Sequence, residues 1–274
     1  MAISALDLIL KEGNQESITT SSRKLDSIFG NGIPLGCVIE LCGMPGIGKT
    51  QLCMQLCANV QLPKNFGGVE GSAIYIDNDG SFVGKRMEQM CKANEHLIIS
   101  SMDDSNYTYS LLNALSNITI YRACHLQEFL ASLNNIEESL KTNSNIKLII
   151  IDSITQHFRS FVGDSMERSR ILYSLAQRLK QLASIYNLSV IMVNQMSTKV
   201  QSDGNSIVIP ALGESWGHSA THRIILLNYK KLRQAWLCKS ATCPEVLAPY
   251  VITTDGIRDV EVNVEIEQGI MEQV

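Results

Sequence analysis

A glycine-rich run near the start of the chain constrains its fold more than any other feature. Residues 43–50 read GMPGIGKT, which matches the phosphate-binding pattern GxxxxGK[ST] at every fixed position. An apolar run typical of a strand, residues 37–42, precedes it, and apolar residues recur at helical spacing after it. The pattern predicts a strand–loop–helix unit whose backbone N–H groups face phosphate oxygens. In such a unit Lys49 reaches the β- and γ-phosphates, and the Thr50 hydroxyl is a ligand of Mg²⁺.

Composition excludes several classes of protein. The 274 residues are 45% hydrophobic and 18% charged, which is ordinary for a globular chain with a sizeable core. No apolar run approaches the roughly 18–20 residues of a membrane span, so no membrane association is predicted. The net charge of −4 gives no general basic field, so any contact with nucleic acid has to come from local loops. The eight cysteines show no CxxC pair, which indicates reduced core thiols.

Strand-like runs alternate with helix-like runs along most of the chain. The predicted strands are 37–42, 72–77, 118–121, 147–152, 188–194, 222–228, 234–239 and 249–254, and the predicted helices are 82–94, 125–140 and 167–186. This order predicts an α/β fold with a mostly parallel sheet flanked by helices and an antiparallel edge of hairpins at the C-terminal side. Residues 1–30 are too few for a domain of their own, so the main domain is placed at 31–274.

Two polar stretches interrupt this order. Residues 159–166 and 196–213 are predicted to be irregular loops. A loop as long as the second one inside a compact domain is usually functional or mobile, so both are candidate binding loops.

Polar side chains follow the predicted parallel strands where each strand ends, which is the edge at which open α/β sheets bind ligands. Asp152 closes an apolar run and is predicted to hold Mg²⁺ through water, the Walker B arrangement; the alternative is a carboxylate that caps a helix. Asp79 can orient a water for attack on the γ-phosphate, or simply be a turn residue before Gly80. Gln195 can hydrogen-bond the γ-phosphate, or satisfy backbone groups at a strand end.

Four segments give the chain a family resemblance. GMPGIGKTQLCMQL, AIYIDNDGSF, LIIIDS and VIMVNQM resemble, in this order, the RecA-type recombinases of the eukaryotic and archaeal branch. The segments GKTQLCMQLCANVQLPKNFGG and PALGESWGH are most similar to the C-type paralogue group of the eukaryotic strand-exchange recombinase. The resemblance extends over about residues 5–254. It implies a RecA-like P-loop ATPase core that uses ATP and Mg²⁺.

The resemblance assigns roles to individual residues. It places Asp79, Lys49 and Gln195 in the catalytic centre, Thr50 and Asp152 at Mg²⁺, and the nucleotide on Gly43, Met44, Pro45, Gly46, Ile47, Gly48, Lys49, Thr50, Gln51 and Arg86. Arg86 matches the residue that packs over adenine, where a planar guanidinium can stack.

The two polar stretches match the DNA-binding loops of the family. Arg159, Arg168, Arg170 and Lys199 are therefore the predicted contacts to single-stranded DNA phosphates. Arg168 and Arg170 also suit the solvated start of a helix, and Lys199 is offset by Asp203, so the alternative is surface charge without a DNA role.

The resemblance implies DNA-dependent ATP hydrolysis in homologous-recombination repair and meiotic recombination. The expected partners are other recombinase paralogues and the main recombinase, and the expected location is the nucleus, with a cytoplasmic pool. The family's N-terminal helical domain is expected to be absent, so residues 1–30 would be the linker that docks on a neighbouring subunit. The basic targeting tail of the C-type group is also expected to be missing.

One departure from the family weakens the expected activity. Asp79 stands where the family has a glutamate, which is about 1.5 Å longer. A misplacement of about 1 Å can cost on the order of a hundredfold in rate, so hydrolysis is expected to be slow. The alternatives are a structural subunit that binds ATP with negligible turnover and a P-loop kinase of small molecules. The kinase needs an arginine-rich lid, which the sequence does not show.

Overall fold

The structure of the protein is a computed structural model that describes residues 4–7, 9, 15–101, 109–159, 161, 164–200, 206–213, 215–229 and 232–260. The strands are β1 (Ser17–Ile18), β2 (Ile33–Pro34), β3 (Val38–Gly43), β4 (Ser72–Asp77), β5 (Ile118–Arg122), β6 (Ile146–Asp152), β7 (Ser189–Val200), β8 (Ser206–Pro210), β9 (His222–Tyr229), β10 (Leu232–Lys239), β11 (Val246–Thr253) and β12 (Gly256–Arg258). The α-helices are α1 (Arg23–Asp26), α2 (Lys49–Asn59), α3 (Gly84–Ser101), α4 (Leu111–Ser116), α5 (Leu126–Thr142), α6 (Gln156–Arg159) and α7 (Ser165–Tyr186).

A ten-stranded sheet organises the described residues, with β12-β11-β10-β9-β3-β7-β6-β4-β5 as its main path and β8 paired to β7. The strands from β9 to β5 along this path run parallel, and those from β9 to β12 run antiparallel. The predicted fold class is therefore confirmed. The parallel strands place their carboxyl ends at one edge, where Asp77 is the register partner of Asp152 and Gly43 that of Gln195.

Both faces of the sheet are covered, which explains why the central strands are almost continuously apolar. On one face α2 and α3 contribute Leu52, Leu56 and Met87 to a core cluster. On the other, α5 and α7 contribute Phe129 and Leu179 to a second cluster. The sheet is therefore fixed from both sides, and the polar strand ends lie on a rigid base.

The segment before β3 packs into the same core. Ile18, Leu25 and Ile28 are buried in the cluster that includes α2. Ser22 caps α1, and its hydroxyl donates to Asp259, which ties this segment to the end of the described chain.

The second predicted loop differs from the expectation. Residues 196–213 were expected to be irregular, but β7 continues to Val200 and pairs antiparallel with β8 from Met196↔Pro210 to Val200↔Ser206. Three successive β-branched residues in SIVIP favour this hairpin. Residues 201–205 lie outside the described part.

The structure also bears on membrane association. In the described ranges, no helix combines the length and the apolar character that crossing a membrane requires.

Candidate nucleotide site

The phosphate loop joins β3 to α2 as the sequence predicts. Gly46 and Gly48 have φ angles of +76° and +112°, which L side chains rarely adopt. A Cβ at Gly48 would also lie 2.6 Å from the Ile252 Cδ1 atom, whereas a Cβ at Gly46 would meet nothing within 4 Å. Backbone conformation thus requires glycine at Gly48, where a Cβ would also displace the Ile252 side chain, and the loop is open above Gly46.

Lys49 lies inside the curve of this loop. Its Nζ donates to the carbonyl oxygens of Gly43 at 2.8 Å and Met44 at 3.1 Å. Burial lowers the pKa of Lys49, and the nearby Asp152 carboxylate opposes this shift. A half-buried ammonium held by neutral carbonyls has little compensation for its lost hydration, so an anionic group is the partner that this position favours.

Asp152 connects the phosphate loop to the neighbouring strands. Its Oδ2 accepts hydrogen bonds from the Thr50 hydroxyl at 2.7 Å and from the Tyr75 hydroxyl at 2.6 Å, with the Ser81 hydroxyl at 3.4 Å. Burial raises the pKa of Asp152, while the bonds from Tyr75 and Thr50 act to lower it. Within the described part of the chain, the carboxylate thus has hydroxyl donors but no ion pair.

These groups suit a magnesium ion. Hydroxyl and carboxylate oxygens are the hard ligands that Mg²⁺ takes, and Thr50 and Asp152 supply one of each. Asn78 is close by, since its N–H donates to the Asp152 carbonyl oxygen at 2.7 Å, and its buried Oδ1 has no hydrogen-bond partner within the described residues. A cation here would offset the negative charge that burial makes costly.

The turn after β4 carries the predicted catalytic carboxylate. Asp77 anchors this turn, because its carboxylate accepts from the N–H groups of Ser81 at 2.9 Å and Phe82 at 3.3 Å. Asp79 is exposed and accepts from the Ser153 hydroxyl at 3.3 Å. The structure therefore places Asp79 next to the residue that follows Asp152.

Gln195 lies beside the phosphate loop. It is the register partner of Gly43 in the parallel pair of β3 and β7. Its side-chain oxygen accepts from the Arg159 guanidinium at 2.5 Å. A predicted γ-phosphate contact and a predicted DNA contact are thus bonded to each other.

Arg86 is held by several groups near the start of α2. Its guanidinium donates to Gln51 at 2.7 Å, to Gln89 at 2.9 Å and to the carbonyl oxygen of Thr253 at 2.6 Å. Arg86 and Gln51, two predicted nucleotide residues, are therefore in direct contact. Stacking on an adenine would require the guanidinium to keep these bonds while presenting one face.

The other predicted DNA contacts are not gathered at the phosphate loop. Arg168 and Arg170 lie in the first turns of α7, and the Arg170 guanidinium is 3.6 Å from the Met166 sulfur. Lys199 lies on the exposed part of β7 that forms the hairpin. Residues 160, 162 and 163 of the first loop lie outside the described residues.

Sequence reasoning missed two polar groups of the sheet. Tyr75 reads as an ordinary core residue of β4, and nothing in its local pattern indicates a contact with Asp152. Glu40 carries a signal that was overlooked, since it is a lone carboxylate inside the apolar run of β3 and is fully buried.

Glu40 is the centre of a second polar group, the Glu40 cluster, formed with Asn194, Trp216 and Arg223. Its Oε1 accepts from the Asn194 amide at 2.6 Å and the Trp216 indole at 2.9 Å, and its Oε2 pairs with the Arg223 guanidinium at 2.6 Å. Asn194 also donates to the carbonyl of Ala211 at 3.0 Å. The cluster fixes the segment after the hairpin onto the strand that leads to the phosphate loop.

Comparisons with known proteins identify the family of the chain. The family model described as Rad51 matches residues 13–260. The chain is 41% identical over 272 residues to DNA repair protein RAD51 homolog 3 of Cricetulus griseus, which covers 96% of this chain and 74% of the relative. The relative of the same name in Dictyostelium discoideum is 39% identical, with coverage of 95% and 70%. DNA repair and recombination protein RadA of Aeropyrum pernix is 34% identical, with coverage of 94% and 77%. The predicted family resemblance is confirmed: this chain belongs to the Rad51 family.

Proposed function

We propose that this chain is an ATP-binding RecA-type paralogue that acts in DNA repair by homologous recombination. The observation that carries the proposal is the hydrogen bond from Thr50 to Asp152 at the mouth of the phosphate loop, two positions 102 residues apart in the sequence. Relatives of this chain bear the names DNA repair protein and DNA repair and recombination protein. Membership of the Rad51 family supports ATP as the ligand of the loop and disfavours the small-molecule kinase.

In this proposal each polar group has one task. The N–H groups of residues 43–50 and the Lys49 ammonium hold the phosphates, and Arg86 packs over the adenine. Mg²⁺ would be held by Thr50 and, through water, by Asp152, and when bound it supplies positive charge that offsets the phosphates. Gln195 contacts the γ-phosphate, and its hydrogen bond with Arg159 connects this contact with the first predicted DNA loop.

The proposed turnover is slow. Asp79 is shorter than the glutamate of the RecA-type family by one methylene, and its carboxylate is engaged by Ser153. The second candidate, a subunit that binds ATP without turning it over, is favoured by the same observation.

A hydrolysis assay with single-stranded DNA separates the two candidates. We expect wild-type turnover to exceed that of Lys49→Ala, and Asp79→Glu to raise it by about tenfold or more because the carboxylate regains its reach. Wild-type turnover equal to that of Lys49→Ala, with a gain in Asp79→Glu, would establish the structural subunit. No turnover in any variant would remove Asp79 from the catalytic role.

DNA contact is proposed for Arg159, Arg168, Arg170 and Lys199. Replacing a phosphate-contacting arginine lowers the salt dependence of binding by about one unit of slope per residue. Anisotropy of a labelled single-stranded oligonucleotide should show this for Arg170→Ala. The matched control is Lys141→Ala on α5, which removes one exposed cation that pairs with Glu138. Equal slopes for both variants would contradict a DNA role for Arg170.

The proposed partners are other recombinase paralogues and the main recombinase, in the nucleus and with a cytoplasmic pool, including during meiotic recombination. Within residues 1–30, the part before Ile18 is proposed as the segment that contacts a neighbouring subunit, because Ile18, Leu25 and Ile28 are buried in the core of this chain. Purification of the tagged chain from its own cells, followed by mass spectrometry, should recover at least one paralogue. Recovery without any recombinase-family protein would contradict this part of the proposal.

A further inference from the structure

We propose that Tyr75 is a positioning residue of the magnesium site. Its hydroxyl holds the Asp152 carboxylate in the orientation in which Oδ2 also accepts a hydrogen bond from Thr50. The inference rests on the proposed function, because it requires that ATP and Mg²⁺ bind at the phosphate loop. Tyr75 would not touch the metal or the nucleotide. It acts through Asp152.

Two short hydrogen bonds meet at one carboxylate oxygen, which the Ser81 hydroxyl approaches only to 3.4 Å. Tyr75 donates to Asp152 Oδ2 at 2.6 Å, and Thr50 donates to the same atom at 2.7 Å. A hydroxyl that gives its single hydrogen to a carboxylate leaves its lone pairs facing elsewhere. Thr50 is thereby set to offer an oxygen lone pair to a cation, provided that Oδ2 stays where it is. Tyr75 supplies the second fixed bond to that oxygen.

The sheet explains how Tyr75 reaches this position. In the parallel pair of β4 and β6, Tyr75 is the register partner of Ile150, so Asp152 lies two residues further on the same face. A phenol is long enough to span such a diagonal. The side chain is fully buried, and the Phe82 ring packs against it edge-on with a centroid distance of 4.9 Å.

The same packing connects the magnesium site with the turn that carries Asp79. The N–H of Phe82 donates to Asp77, which anchors this turn, while the Phe82 ring fixes Tyr75. The contacts of Phe82 therefore fix both the orientation of Asp152, through Tyr75, and the path of the turn.

A phenol suits this task better than a cation would. A guanidinium at the place of Tyr75 would neutralise Asp152 and compete with Mg²⁺. A neutral donor orients the carboxylate and leaves its charge available. The hydroxyl of Tyr75 thus contributes orientation, and Asp152 contributes the charge.

The test is a magnesium titration of mant-ATP binding, followed by fluorescence anisotropy. Tyr75→Phe keeps the ring and deletes only the hydroxyl. We expect its affinity in EDTA to stay within about twofold of the wild type, and the Mg²⁺ concentration for half-maximal enhancement to rise about tenfold or more, as found for partners of metal ligands. Phe82→Leu, which loosens the Tyr75 ring, should shift the midpoint in the same direction by a smaller factor. The matched control is Tyr109→Phe, which deletes the hydroxyl of a partly buried tyrosine between α3 and α4.

Two outcomes would overturn the inference. One is an unchanged magnesium midpoint in Tyr75→Phe while Asp152→Asn loses the enhancement. The other is an equal loss of mant-ATP affinity in Tyr75→Phe with and without Mg²⁺, which would show that Tyr75 contributes packing only. Failure of the proposed function would look different, since the wild type and Lys49→Ala would then bind mant-ATP equally weakly.

Discussion

Asp152 and Glu40 are buried carboxylates of one sheet, yet their surroundings differ in one respect. Glu40 is paired with the Arg223 guanidinium and also accepts from Asn194 and Trp216, so its charge is compensated within the chain. Asp152 accepts from the hydroxyls of Thr50 and Tyr75, which orient it without neutralising it. The Glu40 charge is therefore balanced by Arg223, whereas Asp152 has no ion-pair partner among the described residues, which supports the proposed cation site.

The largest expected effect comes from breaking the ion pair of the Glu40 cluster. Arg223→Met leaves a buried carboxylate without a counter-charge, which typically costs about 3–5 kcal/mol of unfolding free energy. Urea denaturation of the chain without nucleotide measures this. The matched control is Arg178→Met, which removes a half-exposed pair with Glu137 and should cost about 1 kcal/mol or less.

A second substitution tests whether the unpaired Glu40 charge causes this loss of stability. Glu40→Gln in the Arg223→Met background removes the unpaired charge and should restore part of the lost stability. Equal losses of unfolding free energy in Arg223→Met and Arg178→Met would contradict the view that the buried Glu40 carboxylate depends on the Arg223 guanidinium.

Acid should weaken the side of the sheet that carries the Glu40 cluster. His222 on β9 is buried against Phe29 and lies 2.9 Å from the Ser240 hydroxyl, and burial, followed by repulsion from Lys239, lowers its pKa to about 4. Between this value and the ordinary pKa of about 6.5, the unfolded chain binds more protons than the folded one. The contribution of His222 is therefore intact near pH 7 and is lost as the pH falls, by about 2 kcal/mol at pH 5.

Urea denaturation at several pH values tests this sign. His222→Gln keeps a hydrogen-bonding side chain and should flatten the profile between pH 7 and pH 5. A wild-type stability that rises as the pH falls to 5, with no change in His222→Gln, would contradict the assignment.

The smallest expected effect on stability is at Asp152. Asp152→Asn keeps an oxygen that accepts from Thr50 and Tyr75 and removes a charge whose burial raises the pKa of the native carboxyl. The unfolding free energy without nucleotide and Mg²⁺ should stay within about 1 kcal/mol of the wild type. A loss as large as that of Arg223→Met would show that the Asp152 charge is structural.

The parts of the site that sequence could predict are those written in local patterns. The phosphate loop needs glycines, Lys49 and Thr50 at fixed spacing, and the alternation of strands and helices places Asp152 and Gln195 at the same edge. Tyr75 could not be found this way, because its role depends on a diagonal contact between strands far apart in the sequence. The hairpin of β7 and β8 was also missed, since its polar residues suit a loop as well as an exposed ribbon.

Calorimetric titration of ATP into the wild-type chain and Lys49→Ala, each with and without Mg²⁺, tests directly whether the phosphate loop binds ATP. We expect the wild type to bind ATP, Mg²⁺ to strengthen this binding, and Lys49→Ala to bind at least about tenfold more weakly, a difference of about 1.4 kcal/mol. Equal affinities of the two proteins, with no effect of Mg²⁺, would contradict this expectation.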